Sequence, residues 1–299
     1  MKIFHAGQND EARRVDAFLS RLMPSAPKSL IYKYIRTGKI KVNGKKPKPE
    51  FRLSAGDEIK YFGDDALLSE KKADAPKKAG EITVLYEDEH VALLYKPRGV
   101  ACQPDEKRKT DTLVDRFKYY LYKSGAFDPS AENGFTPALC NRLDYNTRGI
   151  VIGAKTLSGL RSMNEKIREG KVRKLYLCRC IGVPNPREGI ISAALIKNEK
   201  TNVSRIGKDG KAAKTKYKTL SVNGKESLVE AELFSGRSHQ IRVHLASIGC
   251  PLAGDAKYGA GGSGQDLCAY KVHFDFSCAD ALSGVGGKTF VLPASLLEF

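Results

Sequence analysis

The chain has 299 residues, 41% of them hydrophobic, enough for one large domain and a small one with real cores. Its 51 Lys and Arg outweigh 34 Asp and Glu, giving a formal net charge of +17 that a polyanion would offset, nucleic acid first and an anionic membrane surface second. No run reaches the ~18 apolar residues of a membrane span, Met1-Lys2-Ile3-Phe4-His5-Ala6 lacks the apolar core of a secretory signal, and the seven cysteines include no Cys-x-x-Cys pair, so the expectation is a cytoplasmic protein with reduced thiols and no metal site.

In chain order, Val15, Phe18, Leu19 and Leu22 recur at helical spacing and predict an amphipathic helix that Met23-Pro24 ends. A second short helix is predicted from Ser29 to Arg36, with Gly38 as its stop. Ile40-Lys41-Val42 alternates as a strand, Asn43-Gly44 is a tight-turn pair, and Glu58 to Phe62 is another strand. Residues 1–62 hold 14 Lys and Arg against 6 Asp and Glu. These cations gather on the second helix and the turn. Arg36, Lys39, Lys41, Lys45 and Lys46 are the candidates to follow a phosphate backbone without reading its sequence. Residues 64–80 mix charges without periodicity and read as a linker, which divides the chain into 1–63, 64–80 and 81–299 and leaves the small domain able to reorient.

Beyond the linker, strands are predicted at 82–86 and 90–95, and the apolar spacing of Leu113, Phe117 and Leu121 predicts a helix face packed on the core. Ile150-Val151-Ile152 is a buried strand, and residues 157–169 a helix with Thr156 as N-cap and Gly170 as stop. Residues 174–183 alternate, with Tyr176, Cys178 and Cys180 on one face. Further strands are expected at 190–195, 214–222, 228–234, 269–276 and 288–292, with Asn223-Gly224 turning one hairpin. Residues 197–213 read as an exposed basic loop, and 238–248 as a helix. Strands outnumber helices and hairpins dominate, so the fold class is α+β: a mixed, largely antiparallel sheet domain with a small N-terminal domain.

Two stretches carry candidate chemistry. Asp144, between Arg142 and Arg148 at the mouth of the 150–152 strand, is either a turn carboxylate in a surface ion pair or a nucleophile or base. Gly236-Arg237-Ser238-His239-Gln240-Ile241-Arg242 is dense in polar donors entering a helix. Arg242 is one of the few donors there that can aim inward, and a buried Arg needs a carboxylate. Asp144 is the candidate partner, and that pairing would hold it oriented and ionised.

The blocks Tyr86-Glu87-Asp88-Glu89-His90 through Lys96-Pro97-Arg98-Gly99, Arg142-Leu143-Asp144 with Thr147 and Gly149, Lys174-Leu175-Tyr176, and Gly236 to His244 continuing to Asp255 and Tyr258-Gly259 resemble an RluA-type pseudouridine synthase over about residues 82–299. Residues Arg14-Val15-Asp16, Arg36 to Gly44 and Leu53 to Ile59 resemble the alpha-L RNA-binding domain. The resemblance implies an isomerase that needs no cofactor or metal, breaks the uridine glycosidic bond, turns the base and rejoins the ribose to carbon 5. It implies that Asp144 is essential, that Tyr176 packs on the target base and assists removal of the carbon-5 proton, that Arg242 pairs with the Asp, and that Arg142 fills the gap left by the extruded uridine. The alpha-L domain, with Arg237 as a further contact, points to RNA as partner, and to large-subunit ribosomal RNA by analogy. Two positions depart from the family pattern: Asn141 stands where His is usual, and Arg148, read here as a solvated turn residue, where Ser is usual. Competing readings are a silent RNA-binding protein, which has no need of the Asp144, Tyr176 and Arg242 trio, and a basic hydrolase, for which no second carboxylate is recognisable. No apolar face is left unassigned, so a monomer is expected.

Overall fold

The computed structural model of the protein describes residues 1–68, 75–106, 109–130, 135–259, 261–277 and 279–297. At the N-terminus, helix α1 (Val15–Leu22) buries Val15, Phe18 and Leu19, the stripe its spacing predicts, against Ile31 and Ile35 of α2 (Lys28–Arg36). Beneath them β1 (Lys2–His5), β2 (Ile40–Val42) and β3 (Glu58–Tyr61) form a sheet in the order β1-β3-β2. The sequence reading has no β1. Its side chains are mostly exposed, so no buried period marks it, and only its antiparallel pairing with β3 makes it a strand. The first residues of the predicted linker close this core. Leu68 is buried against it, after a 3-10 turn at Asp65–Leu67 capped by Asp64.

The larger domain is built on a ten-stranded sheet. Its strands are β4 (Thr83–Glu87), β5 (Val91–Lys96), β6 (Ala138–Leu139), β7 (Arg148–Ala154), β8 (Val172–Ile181), β9 (Glu188–Ser192), β12 (Lys214–Asn223), β13 (Glu226–Leu233), β14 (Leu267–Phe274) and β15 (Thr289–Val291). A separate ribbon pairs β10 (Leu195–Asn198) with β11 (Val203–Ile206). The sheet order is β4-β5-β7-β14-β8-β13-β12-β9, with β15 on β14 and β6 on β7. Among the described residues only the β7–β14 pairing is parallel, so the sheet is mixed and largely antiparallel. All seven residues of β7 are buried. Ile150 and Ile152 enter one core with Met163 of α4 (Leu157–Arg168), while Val151 enters another with Leu113, Phe117 and Leu121 of α3 (Leu113–Lys123). That two-sided burial is why the strand reads as a continuous apolar run. Among the described residues no helix is long and apolar enough to cross a membrane.

Two sequence readings are corrected. The 197–213 stretch is a β-ribbon as well as a loop; its strands hide because Leu195 and Ser204 are their only buried residues. The predicted helix from residue 238 starts later, as α5 (Gln240–Ser247), because His239 adopts a left-handed backbone (φ 55°) that a right-handed helix does not contain.

Candidate active site

Asp144 lies in the turn between β6 and β7, which Thr147 N–H closes by donating to the Asp144 carbonyl at 3.0 Å. This turn is anchored from several directions. Lys96, at the end of β5, is 0% exposed, and its ammonium donates to the carbonyls of Pro97 (3.0 Å), Val100 (2.7 Å) and Tyr145 (2.9 Å). Burial lowers the Lys96 pKa to about 8, with the charge of Asp144 opposing it, so at neutral pH its three N–H bonds still meet three acceptors. Leu143 N–H donates to Cys102 Sγ at 3.2 Å, and burial pushes that thiol pKa up, which keeps it a packing group and not a thiolate. Gly149, at φ 126°, follows the turn where β7 runs beside β14 opposite Ala269. A Cβ there would strike the Ala269 backbone, so the parallel contact that holds the turn requires glycine.

Arg242 reaches this turn from α5. It is 5% exposed, and its Nη1 donates to Asp144 Oδ2 at 3.0 Å. Its other face is held by Asp255, 0% exposed: Nε donates to Asp255 Oδ2 at 2.7 Å and Nη2 to Oδ1 at 2.8 Å. Burial alone would lower the Arg242 pKa; the hydrogen bonds and charges of Asp255 and Asp144 outweigh it and hold the guanidinium above its ordinary value. Burial likewise pushes Asp255 upward, but Arg242 wins and keeps it ionised. Tyr258 lies with its ring centroid 5.0 Å from the guanidinium carbon, a cation–π contact on the remaining face. Arg242 is therefore rigid, and so is the oxygen of Asp144 that it binds.

Tyr176 is buried on β8, with Ala269 of β14 and Ala231 of β13 as its direct neighbours across the sheet. Burial first, then the charge of Asp144, raises its pKa, so the phenol keeps its proton at neutral pH. Arg142 is exposed on the Asp144 turn. Arg237 is exposed ahead of α5, its Nε donating to the Ala212 carbonyl at 3.2 Å. Arg36, Lys39, Lys41, Lys45 and Lys46 are all exposed on the small domain, well separated in sequence from these residues. Lys39 lies 4.7 Å from the Tyr34 ring centroid and Lys41 5.7 Å from that of Phe62.

The two departures have structural partners. Asn141 Oδ1 accepts from Ile152 N–H at 2.8 Å, fastening the approach to the turn onto β7. Arg148 is not the solvated turn residue expected: it is buried, with Nη1 donating to Asp266 Oδ1 at 3.0 Å. Arg98 and Arg179 reach the same carboxylate, so Asp266 gathers three guanidiniums. An arginine that opens a fully buried strand needs such a carboxylate.

Asp255, Lys96, His239 and Tyr258 lie in the blocks quoted from the sequence, but none was given a role there. One signal for Asp255 existed: a buried guanidinium has five N–H donors, more than one carboxylate satisfies. No comparable signal marks Lys96, whose acceptors are all backbone carbonyls.

A sequence model of the RNA pseudouridylate synthase family matches residues 90–247, and one of the S4 domain matches residues 13–59. The chain belongs to the RNA pseudouridylate synthase family. Ribosomal large subunit pseudouridine synthase C of Salmonella typhimurium is 31% identical over 306 residues, covering 100% of this chain and 88% of that protein. The protein of that name from Escherichia coli K12 is 32% identical over 266 residues, covering 87% and 80%. Human RNA Pseudouridylate Synthase Domain Containing 1 shares the fold, with a TM-score of 0.53 at 22% identity over 67% of this chain and 80% of that one. This pseudouridine synthase is thus an RluA-type isomerase with an N-terminal S4 domain, the alpha-L module of the sequence reading, that binds RNA.

Proposed function

We propose that this pseudouridine synthase acts on large-subunit ribosomal RNA in the cytoplasm, with Asp144 as its catalytic residue. The observation that carries the second half is the Asp144–Arg242–Asp255 arrangement. Arg242 fixes one oxygen of Asp144 and is itself fixed by Asp255, which leaves the other Asp144 oxygen for the ribose of a bound uridine. The reaction breaks the bond from N1 to the ribose carbon and forms one from carbon 5. The carbon-5 proton is lost and N1 takes up a proton, so the base is isomerised without net change. Asp144 serves it either as nucleophile at the ribose carbon or as base toward a ribose proton. Tyr176 is the surface on which the base rests while it turns; its raised pKa favours this packing role over that of a base. Arg142 enters the gap left when the uridine leaves its stack, a step costing a few kcal/mol that the basic domains offset through phosphate contacts.

The target half rests on the names of the relatives and on the exposed cations of the S4 domain. Asp255 does not revive the hydrolase reading, since both its oxygens are taken by Arg242. The test uses ribosomal RNA carrying tritium at carbon 5 of uridine. The wild type releases tritium; Asp144→Ala binds the RNA with unchanged affinity and releases none. Tritium release by Asp144→Ala would remove Asp144 from the chemistry. Failure of the wild type on ribosomal RNA, with activity on another RNA, would overturn the target alone.

A further inference from the structure

A further titratable side chain, His239, stands against Asp144 at the start of α5, and neither the bond exchange nor the proton transfers make use of it. Its Nε2 lies 3.9 Å from Asp144 Oδ2, and its Nδ1 lies 2.7 Å from the Tyr258 hydroxyl. That hydroxyl accepts from Ser204 N–H of β11 at 2.7 Å. A phenol oxygen that accepts one hydrogen bond keeps its own proton to donate, and His239 Nδ1, at 2.7 Å, can accept it, the Ser204 side chain being the other partner beside the hydroxyl. With Nδ1 accepting, the ring proton of neutral His239 must reside on Nε2, the nitrogen nearer Asp144.

We propose that Tyr258 holds His239 in the Nε2–H tautomer and so makes His239 a positioning residue for Asp144, acting on the same carboxylate oxygen as Arg242. This proposal rests on Asp144 as the catalytic group. The tautomer decides the sign of the interaction. An N–H dipole facing a carboxylate attracts it and can close to a hydrogen bond when RNA is bound; the reverse tautomer would face it with a lone pair and push it away. A carboxylate so held keeps its free oxygen turned toward the ribose.

Three further features agree. The backbone of His239 is left-handed, a conformation that favours glycine, and such strain is retained where the side chain's placement is over-determined. The ring is 9% exposed, and its edge-to-face packing on Tyr258 limits its rotation. Asp144 and Asp255 face it with negative charge, Arg242 and Lys257 with positive; with burial the largest influence, its pKa falls to about 4. It is therefore neutral near pH 7, the state in which a tautomer exists to be chosen.

The experiment combines ring-nitrogen NMR of the full chain at pH 7 with turnover on ribosomal RNA. The chain has five histidines, and His239→Gln identifies the His239 resonances by their loss. Wild type should show His239 protonated on Nε2, and Tyr258→Phe, which keeps the ring but loses the hydroxyl, should shift it toward a mixture. Tyr258→Phe should lower kcat by about 10- to 100-fold, the usual range for a group that orients an active-site residue, with KM for RNA unchanged. In the His239→Gln background, Tyr258→Phe should have no further effect on kcat, since the relay is already broken. Thermal unfolding of each variant guards against loss of fold. A wild-type proton on Nδ1 would overturn the proposal, as would a rise in KM at constant kcat, which would make Tyr258 an RNA contact. Full turnover by Asp144→Asn would instead sink the catalytic reading while the NMR still reports the tautomer.

Discussion

The two domains put the same residue types to opposite uses. In the small domain Arg36, Lys39, Lys41, Lys45 and Lys46 are exposed, and Lys39 and Lys41 lie over aromatic faces. In the large domain Arg242, Arg148 and Lys96 are buried, and each is held by carboxylates or carbonyls at hydrogen-bond distance. In the proposed function the first group provides a field that follows a phosphate backbone. The second provides fixed geometry. Net charge reports only the sum, and it is burial that separates cations for binding from cations for positioning.

Substitutions in the two groups should therefore fail differently. The largest effect is expected for Arg242→Ala, which leaves Asp255 buried without its partner. Stability should fall by about 3–5 kcal/mol, and turnover should fall far more than RNA affinity. Denaturant unfolding and single-turnover assays read both. Equal losses of turnover and binding would instead make Arg242 an RNA contact and erase the contrast. Next, Lys96→Met removes the donor of the Pro97 and Val100 carbonyls, while the Tyr145 carbonyl keeps the Gly99 N–H; it should cost about 2–6 kcal/mol, at 1–3 kcal/mol for each unsatisfied group that water cannot reach. Lys39→Met on the small domain should stay within about 0.5 kcal/mol. If the two variants unfold alike, buried and exposed cations are not distinct classes here.

A smaller and different effect is expected from Arg36→Ala, Lys39→Ala and Lys45→Ala together. RNA affinity should weaken uniformly across sequences. The slope of log affinity against log salt should flatten by roughly 0.7–0.9 for each phosphate no longer neutralised, with kcat at saturating RNA unchanged. A drop in kcat would mean that the small domain helps to shape the site.

The smallest effect concerns acid stability. Burial holds His239 to about 4, and lowers His244 as well, below the ordinary 6.5. The unfolded chain then takes up protons before the folded one does. Stability contributed by neutral His239 is complete above about pH 6.5 and is lost as pH falls from there toward 4. Urea midpoints between pH 7 and 4.5 should fall for the wild type and fall less for His239→Gln. Equal slopes would show that His239 is not buried as a neutral ring.

Much of this was legible in the chain. The stripe of Val15, Phe18 and Leu19, the apolar run at 150–152 and the alternation around Tyr176 are local patterns, and local periodicity is what burial on one or two faces imposes. The pairing of Asp144 with Arg242 was legible for another reason, since a buried guanidinium requires a carboxylate. The β10–β11 ribbon was not, because its strands bury little and so leave no period. Nor was the burial of Arg148, because its acceptor, Asp266, lies outside every stretch that the sequence marks for chemistry.

The sequence by itself determined that the molecule is a basic, two-domain α+β protein with an Asp and an Arg poised for one another. Tertiary structure alone decided the rest: that Asp255 braces Arg242 from behind, that Lys96 pins the Asp144 turn through backbone carbonyls, and that His239 and Tyr258 close the ring of contacts. The physical reason is common to all three. A buried polar group must find partners, but the sequence states only the need. Which acceptor meets it is settled where β7, β14 and α5 converge.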